Sequence, residues 1–240
     1  MQCLLSSAYL PPVEYFAAIA KYKSVCIEAC ENYQKQSYRN RCTILTASGK
    51  MNLNIPVSRG GDNFTHKVPI KEIEIDYSED WVIKHTRALE AAYMNSPFFV
   101  YYKDDLFQIL RSGERSLLKF NTLLTKQLLL FCGVKAEVSF TEDYLMPAAA
   151  SKSNNLSLKQ NKADERVVVS EGKEPVEAGV SGFVDLRERI HPKSKQCSLL
   201  KEWALEKPYW QVFAKQGFVS NLSVVDLLFN EGPDSISFLL

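Results

Sequence analysis

Within its first thirty residues the chain sets out a strand, a helix and a second strand, and this order limits the folds open to it more than any other feature. Cys3 to Ser7 reads as a short buried strand. The Pro11-Pro12 pair stands ahead of Val13-Glu14-Tyr15-Phe16-Ala17-Ala18-Ile19-Ala20, and Ser24-Val25-Cys26-Ile27 forms a second strand-like run. Proline suits the first turn of a helix because the amide it lacks would have no intrahelical partner there. A helix that carries the chain from one strand to the next builds a parallel unit, here with a short crossover.

The remaining pattern fits an α/β chain. Thr43-Ile44-Leu45, a turn at Ala47-Ser48-Gly49-Lys50, and Leu53-Asn54-Ile55-Pro56-Val57 predict a hairpin. Lys71 to Asp76 alternates apolar and charged residues and predicts a half-buried strand. Three helices follow. The first runs from about Asp80 to Ser96 with Trp81, His85, Ala88, Ala92 and Ser96 on one stripe. The second runs from Phe98 to about Leu110, and the third carries Leu117, Phe120, Leu124, Leu128 and Phe131 on one face and stops at Gly133. A strand is expected at Ala136 to Phe140. Near the C-terminus, Ser223-Val224-Val225-Asp226 matches a capping box, Leu222 and Leu227 suit a hydrophobic staple, and Gly232-Pro233 supplies a stop, so a helix is expected over 224–230. Between Pro147 and Gly179 the sequence turns to Ala, Ser, Asn, Lys and Glu without apolar periodicity, which reads as a long flexible insertion at about 147–179. The expected architecture is one α/β domain over 1–240, with a mixed sheet, a helical cluster from 80 to 132, and that insertion.

Composition excludes several function classes. A net charge of +1 over 240 residues, with no basic block, argues against nucleic acid as a partner. No apolar run reaches the ~18 residues of a membrane span, and the N-terminus lacks a charged leader region, so a cytoplasmic location is expected. The six cysteines form no C-x-x-C pair and read as core residues rather than a disulfide or metal framework. No nucleotide-binding, hydrolase or zinc motif is present, so neither a cofactor nor a metal is expected.

Polar chemistry concentrates in residues 28–45, where Glu28, Glu31, Tyr33, Tyr38 and the Arg39-Asn40-Arg41 triplet run into an apolar strand. If the strand period of two extends through this triplet, Arg39 and Arg41 face the same way and make an anion clamp, or else a solvated edge. Asn40, among apolar neighbours, fixes the local loop or touches a ligand. Of three histidines, only His85 lies on an apolar helix face, where it is either an acid or base or a satisfied core residue. Glu28, at the carboxyl end of a predicted strand, stands where α/β sheets collect ligands. Glu31 reads as a loop charge or a partner for Arg41. Tyr9, Tyr33, Tyr38 and Tyr93 line a sugar or nucleotide pocket or simply pack.

Several segments together resemble the WbqC-like family: Leu4 to Phe16, Tyr33 to Arg41, Trp81 to His85, Ala92 to Phe99, and Asn221 to Asn230. The resemblance spans nearly all of the chain outside the insertion. The family is bacterial and associated with surface-polysaccharide gene clusters, and a glycine-transfer role onto a sugar has been proposed for it. The resemblance therefore implies a transferase acting on an amino sugar. In that reading His85 is the base, Glu28 orients it, and Arg39 and Arg41 hold the phosphates of a sugar nucleotide or of an activated amino-acid donor. Asn40 bonds a carbonyl, and Tyr9, Tyr38 and Trp81 line the pocket. The alternative is a protein that binds a sugar nucleotide or a partner without chemistry. Two departures stand out: Ser6-Ser7 replaces the family's Gln-Pro pair, and Ala29-Cys30 replaces an acidic pair, with Glu28 and Glu31 on either side.

Overall fold

The computed structural model describes residues 1–58, 68–146, 182–213 and 217–240. The expected insertion at 147–179 lies outside the described residues. The opening unit is as the sequence predicts. Strand β1 (Gln2–Ser6) leads through α1 (Val13–Tyr22) to β2 (Ser24–Glu28), and the two strands pair in parallel with Leu5 opposite Ile27 and Ser6 opposite Glu28. Ten helical residues suffice for the crossover because Lys23, in the left-handed conformation, turns the chain directly from the last helical turn into β2. Cys3, Leu4 and Leu5 are all fully buried, as expected of a strand covered on both faces.

After β2 come the hairpin of β3 (Arg41–Thr46) and β4 (Gly49–Asn54), the short strand β5 (Val57–Ser58), and β6 (Glu74–Ile75). Helices α2 (Trp81–Tyr93), α3 (Phe99–Leu110) and α4 (Leu117–Phe131) follow, then β7 (Glu137–Phe140), β8 (Phe183–Asp185), α5 (Leu199–Glu202) and α6 (Val224–Glu231). The main sheet has the order β7-β2-β1-β8, and every pairing in it is parallel. The antiparallel pairings, β3 with β4 and β5 with β6, form separate two-stranded ladders. The α/β content is therefore as expected, with the two kinds of pairing divided between sheets instead of mixed in one. Of the strand expected over Lys71 to Asp76, Lys71 and Glu72 fall in a 3-10 turn (Ile70–Glu72) after Pro69, and the paired strand covers Glu74–Ile75.

One buried cluster runs from β1 and α1 through α2, α3 and α4 to α6. Among the described residues no helix is long and apolar enough to cross a membrane. Helix α1 packs on β1 and β2 and meets α5 and α6 on its other side. Its buried Glu14 is satisfied by α5, accepting from the Ser198 hydroxyl at 2.8 Å and the Leu199 amide at 3.3 Å. Helix α6 forms where the sequence places it, but the capping box does not. The Ser223 hydroxyl donates to the Leu10 carbonyl at 2.7 Å, and Asp226 turns inward to accept from Tyr209 at 2.7 Å and Gln211 at 2.8 Å.

Gly232 ends α6 at φ +56° and ψ −126°, and a Cβ placed there would lie 2.4 Å from the Phe98 ring. Both the backbone conformation and the close approach require glycine. Gly232→Ala should lower unfolding stability by about 3 kcal/mol, read as a lower urea midpoint with an unchanged slope. An unchanged midpoint would show that the α6 end relaxes freely.

Candidate functional site

Because the main sheet is parallel, the carboxyl ends of its strands open on one edge. The chain leaves β1 toward β2 and β7 on one side and then crosses back to place β8 on the other, so strand order reverses between β1 and β8. Side chains cannot close the space between two chains that leave in opposite directions, and ligands of open α/β sheets collect in that crevice.

Glu28, the last residue of β2, is fully buried at this edge. Its Oε1 accepts from the Cys30 amide at 2.9 Å and the Thr141 hydroxyl at 2.6 Å. Its Oε2 accepts from the Leu145 amide and from Arg187 Nη1, both at 3.0 Å. Arg187 in turn donates to Asp185 from Nε at 2.9 Å and from Nη2 at 2.6 Å, and to the Leu145 carbonyl at 2.7 Å. The Tyr144 ring lies 5.4 Å from the guanidinium. A buried charge is tolerable only when its partners replace the water it has lost, and this network does so for Glu28 and Arg187 together.

A second pair lies beside it. Arg39 grips both oxygens of Glu31, with Nε to Oε1 at 2.9 Å, and also donates to the Ser6 hydroxyl at 2.9 Å. Ser6 donates onward to Glu31 at 3.1 Å. Burial raises the Glu31 carboxyl above its ordinary value, and the Arg39 guanidinium opposes the rise. Between the two pairs opens a cavity of about 300 Å³ walled by Glu31, Tyr33, Tyr144, Asp185, Arg187 and Glu188, with Asn32 and Gln34 on its rim. A narrower cleft beside it, at the end of β1, is lined by Ser6, Tyr38, Arg39 and His191. Burial lowers His191 below its ordinary value; Glu188 opposes this, and Arg39, Arg41 and Lys193 add to it. Its Nδ1 accepts from the Lys193 amide at 3.1 Å, so the neutral ring carries its proton on Nε2. Among the described residues no group of three or more His, Cys, Asp or Glu is placed to share a metal ion.

The residues expected from the sequence separate into two groups. Glu28, Arg39 and Tyr38 lie at this edge. Arg41 does not join Arg39 in a clamp: Arg39 is closed by Glu31, and Arg41 donates to the Gln36 carbonyl at 2.7 Å. Glu31, read as a loop charge or a partner for Arg41, is held instead by Arg39. Asn40 fixes the hairpin by bracketing Ile55, donating to its carbonyl at 2.9 Å while its own carbonyl accepts from the Ile55 amide at 2.7 Å. Tyr9, Trp81 and His85 form an aromatic cluster with Phe120 in the core. His85 Nδ1 is 2.9 Å from the Tyr9 hydroxyl, and the Asn54 backbone also hydrogen-bonds the ring. The expected pairing of Glu28 with His85 is not formed, and His85 lines neither cavity. Asp185, Arg187 and His191 were not singled out from the sequence. The signal for the first two is the acid-base alternation of Val184-Asp185-Leu186-Arg187 closing a short strand.

Glu28→Ala would leave Arg187 with Asp185 as its remaining carboxylate and should cost about 4 kcal/mol of stability. A loss below about 1 kcal/mol in urea unfolding would mean the network does not hold this edge. Burial lowers His85 from 6.5 to about 4. Between these values the unfolded chain binds a proton that the native chain does not, so stability falls as pH drops. The stability advantage of the wild type over His85→Gln should shrink by about 3 kcal/mol from pH 7 to pH 4. An advantage independent of pH would show that the ring stays accessible to protons.

The profile of the WbqC-like protein family matches residues 6–238. An uncharacterized protein of Mycobacterium tuberculosis, Rv1507c, is 28% identical over 237 residues, spanning 98% of this chain and 96% of that relative. No solved structure matches the chain. The match extends from the end of β1 to the last turn of the chain and so includes both ends of the Glu28–Arg187 network: the chain belongs to the WbqC-like protein family.

Proposed function

We propose that this protein works in the cytoplasm as a transferase of bacterial surface-polysaccharide biosynthesis, moving a glycyl or similar acyl group onto an amino sugar. The carrying observation is the charge of the cavity at the carboxyl edge. Glu31, Asp185 and Glu188 line it with three carboxylates against the single guanidinium of Arg187, and the buried Arg39 and Glu28 behind the wall add one charge of each sign as partners of Glu31 and Arg187. An excess of carboxylate in a partly closed space favours a ligand carrying an ammonium group. Tyr33 and Tyr144 add aromatic rings to the lining, of the kind that pack on the apolar face of a pyranose, and Asn32 and Gln34 add amides of the kind that bond its hydroxyls. The pathway comes from the family resemblance, and the ligand class from the cavity.

In the reaction proposed, the bound ammonium gives one proton to Glu31 to become the amine, whose nitrogen attacks the carbonyl carbon of an activated amino-acid donor, and its second proton leaves with the departing group. A C–N bond forms and the bond to the leaving group breaks. Glu31 is the proton acceptor in this reading, since burial raises its proton affinity and it lines the cavity. Arg39 holds Glu31 in place and Arg187 holds Asp185.

One observation favours the second reading, a sugar-nucleotide-binding protein without chemistry. Glu28 and Glu31 each have both oxygens engaged, and His85 is buried against Tyr9, so a substrate reaches a base only by displacing one of these bonds.

A nucleotide-linked amino hexose should raise the melting temperature in a saturable way. Its N-acetylated counterpart should bind about tenfold more weakly, and Glu188→Gln, at an exposed position, should weaken the amino form by a similar factor. Equal stabilisation by both sugars would overturn the amine-binding site. Binding of the amino form with no acylated product from an activated glycine would assign the protein to the second reading.

A further inference from the structure

On the other flank of the β2 exit lies a cavity of different chemistry. It is an open groove of about 560 Å³ between α4, the end of β7 and the residue after β2. Leu118, Leu123, Phe140 and Ala29 form its apolar surface, with Leu123 45% and Phe140 40% exposed. Lys71, Lys119 and Lys126 stand around it. Lys119 and Lys126 are two turns apart on α4, so their stems rise from the same side about 10 Å from each other.

Two of the groove's polar groups are bonded within the chain. The Thr122 hydroxyl donates to the Leu118 carbonyl at 2.7 Å, and the Glu114 carboxylate accepts from the Ser116 amide at 2.8 Å. Among the described residues none of the three lysines is paired with a carboxylate. The groove thus offers a ligand hydrocarbon and three ammonium groups against the one carboxylate of Glu114. A sugar or a nucleobase would lose hydration at its polar edges without replacement, which disfavours both. Hydrocarbon loses nothing by entering, and a negative head meets the lysines.

We infer that this groove binds a single-chain amphiphile, an acyl or alkyl chain with an anionic head, free in solution and not as part of a membrane. The site is separate from the acidic cavity, which has the opposite charge and opens on the other side of Cys30.

The test is calorimetric titration of the wild-type protein with dodecyl phosphate below its micelle concentration, with dodecyltrimethylammonium as the opposite-charge control. Saturable one-to-one binding is expected, about tenfold weaker for the cationic chain and about tenfold weaker in the Lys119→Glu/Lys126→Glu variant. These lysines are exposed, so the variant should keep its fold, checked by its melting temperature. Leu123→Asp should abolish binding through the apolar surface. Equal binding of both chains, or binding unchanged in either variant, would overturn the inference. So would co-sedimentation with phosphatidylglycerol vesicles in the absence of any binding to the monomeric chain, which would make the groove a membrane-facing surface. None of these outcomes depends on whether amino sugars bind the acidic cavity.

Discussion

The buried carboxylate of Glu28 is the constraint on which the carboxyl edge depends. Its donors come from the loop after β2, the end of β7, the segment after β7, and the residues following β8. A charge with no access to water must keep every one of these partners, because losing one leaves a polar group desolvated and unpaired. Three stretches of chain far apart in sequence, around residues 28–30, 141–145 and 185–187, are therefore held in one arrangement, and Asp185, Arg187 and Tyr144 take their positions from it. The cavity they wall is therefore set by folding, and a preformed cavity needs little ordering to accept a ligand.

What was legible in the sequence was what short-range periodicity records. The unit β1-α1-β2, the three central helices and α6 each bury one continuous apolar face, and that pattern is visible within a dozen residues. Helix α6 is instructive because its position followed from the sequence while its capping chemistry did not. Ser223 and Asp226 have the residue types of a capping box, but tertiary partners compete for the same atoms. Leu10 takes the hydroxyl, and Tyr209 and Gln211 take the carboxylate. Local rules assign a helix end well and side-chain partners poorly once the end is buried.

The site was less legible for three physical reasons. The pairing of Glu28 with Arg187 joins residues 159 positions apart, and nothing local marks either one for the other. Periodicity places His85 on the buried stripe of α2 correctly, but burial and access to a ligand are opposite properties, and the ring ends in the core beside Tyr9. The strand period of two reaches only the last residue of the arginine triplet. Strand β3 begins only at Arg41, and Gln36 turns the chain with φ +59°, so Arg39 leaves the face it would have shared with Arg41 and enters the Glu31 pair.

The two cavities on either side of the β2 exit have opposite character because different structures wall them. Toward β8, the chain reverses direction across β1, and the gap is filled by charged residues that must pair with one another, leaving carboxylates in excess. Toward β7, the wall is the outward face of α4, where Leu118, Thr122 and Lys126 recur at the spacing of a helix surface. A helix face half covered by a sheet edge keeps apolar side chains at the boundary and charged ones beyond it. Ala29 borders one cavity and Glu31 the other, with Cys30 between them. Cys30 donates its amide to Glu28, so the segment that separates the two chemistries is fixed by the same carboxylate that fixes the edge. That arrangement keeps a carboxylate-rich cavity and an apolar groove on opposite sides of a three-residue wall.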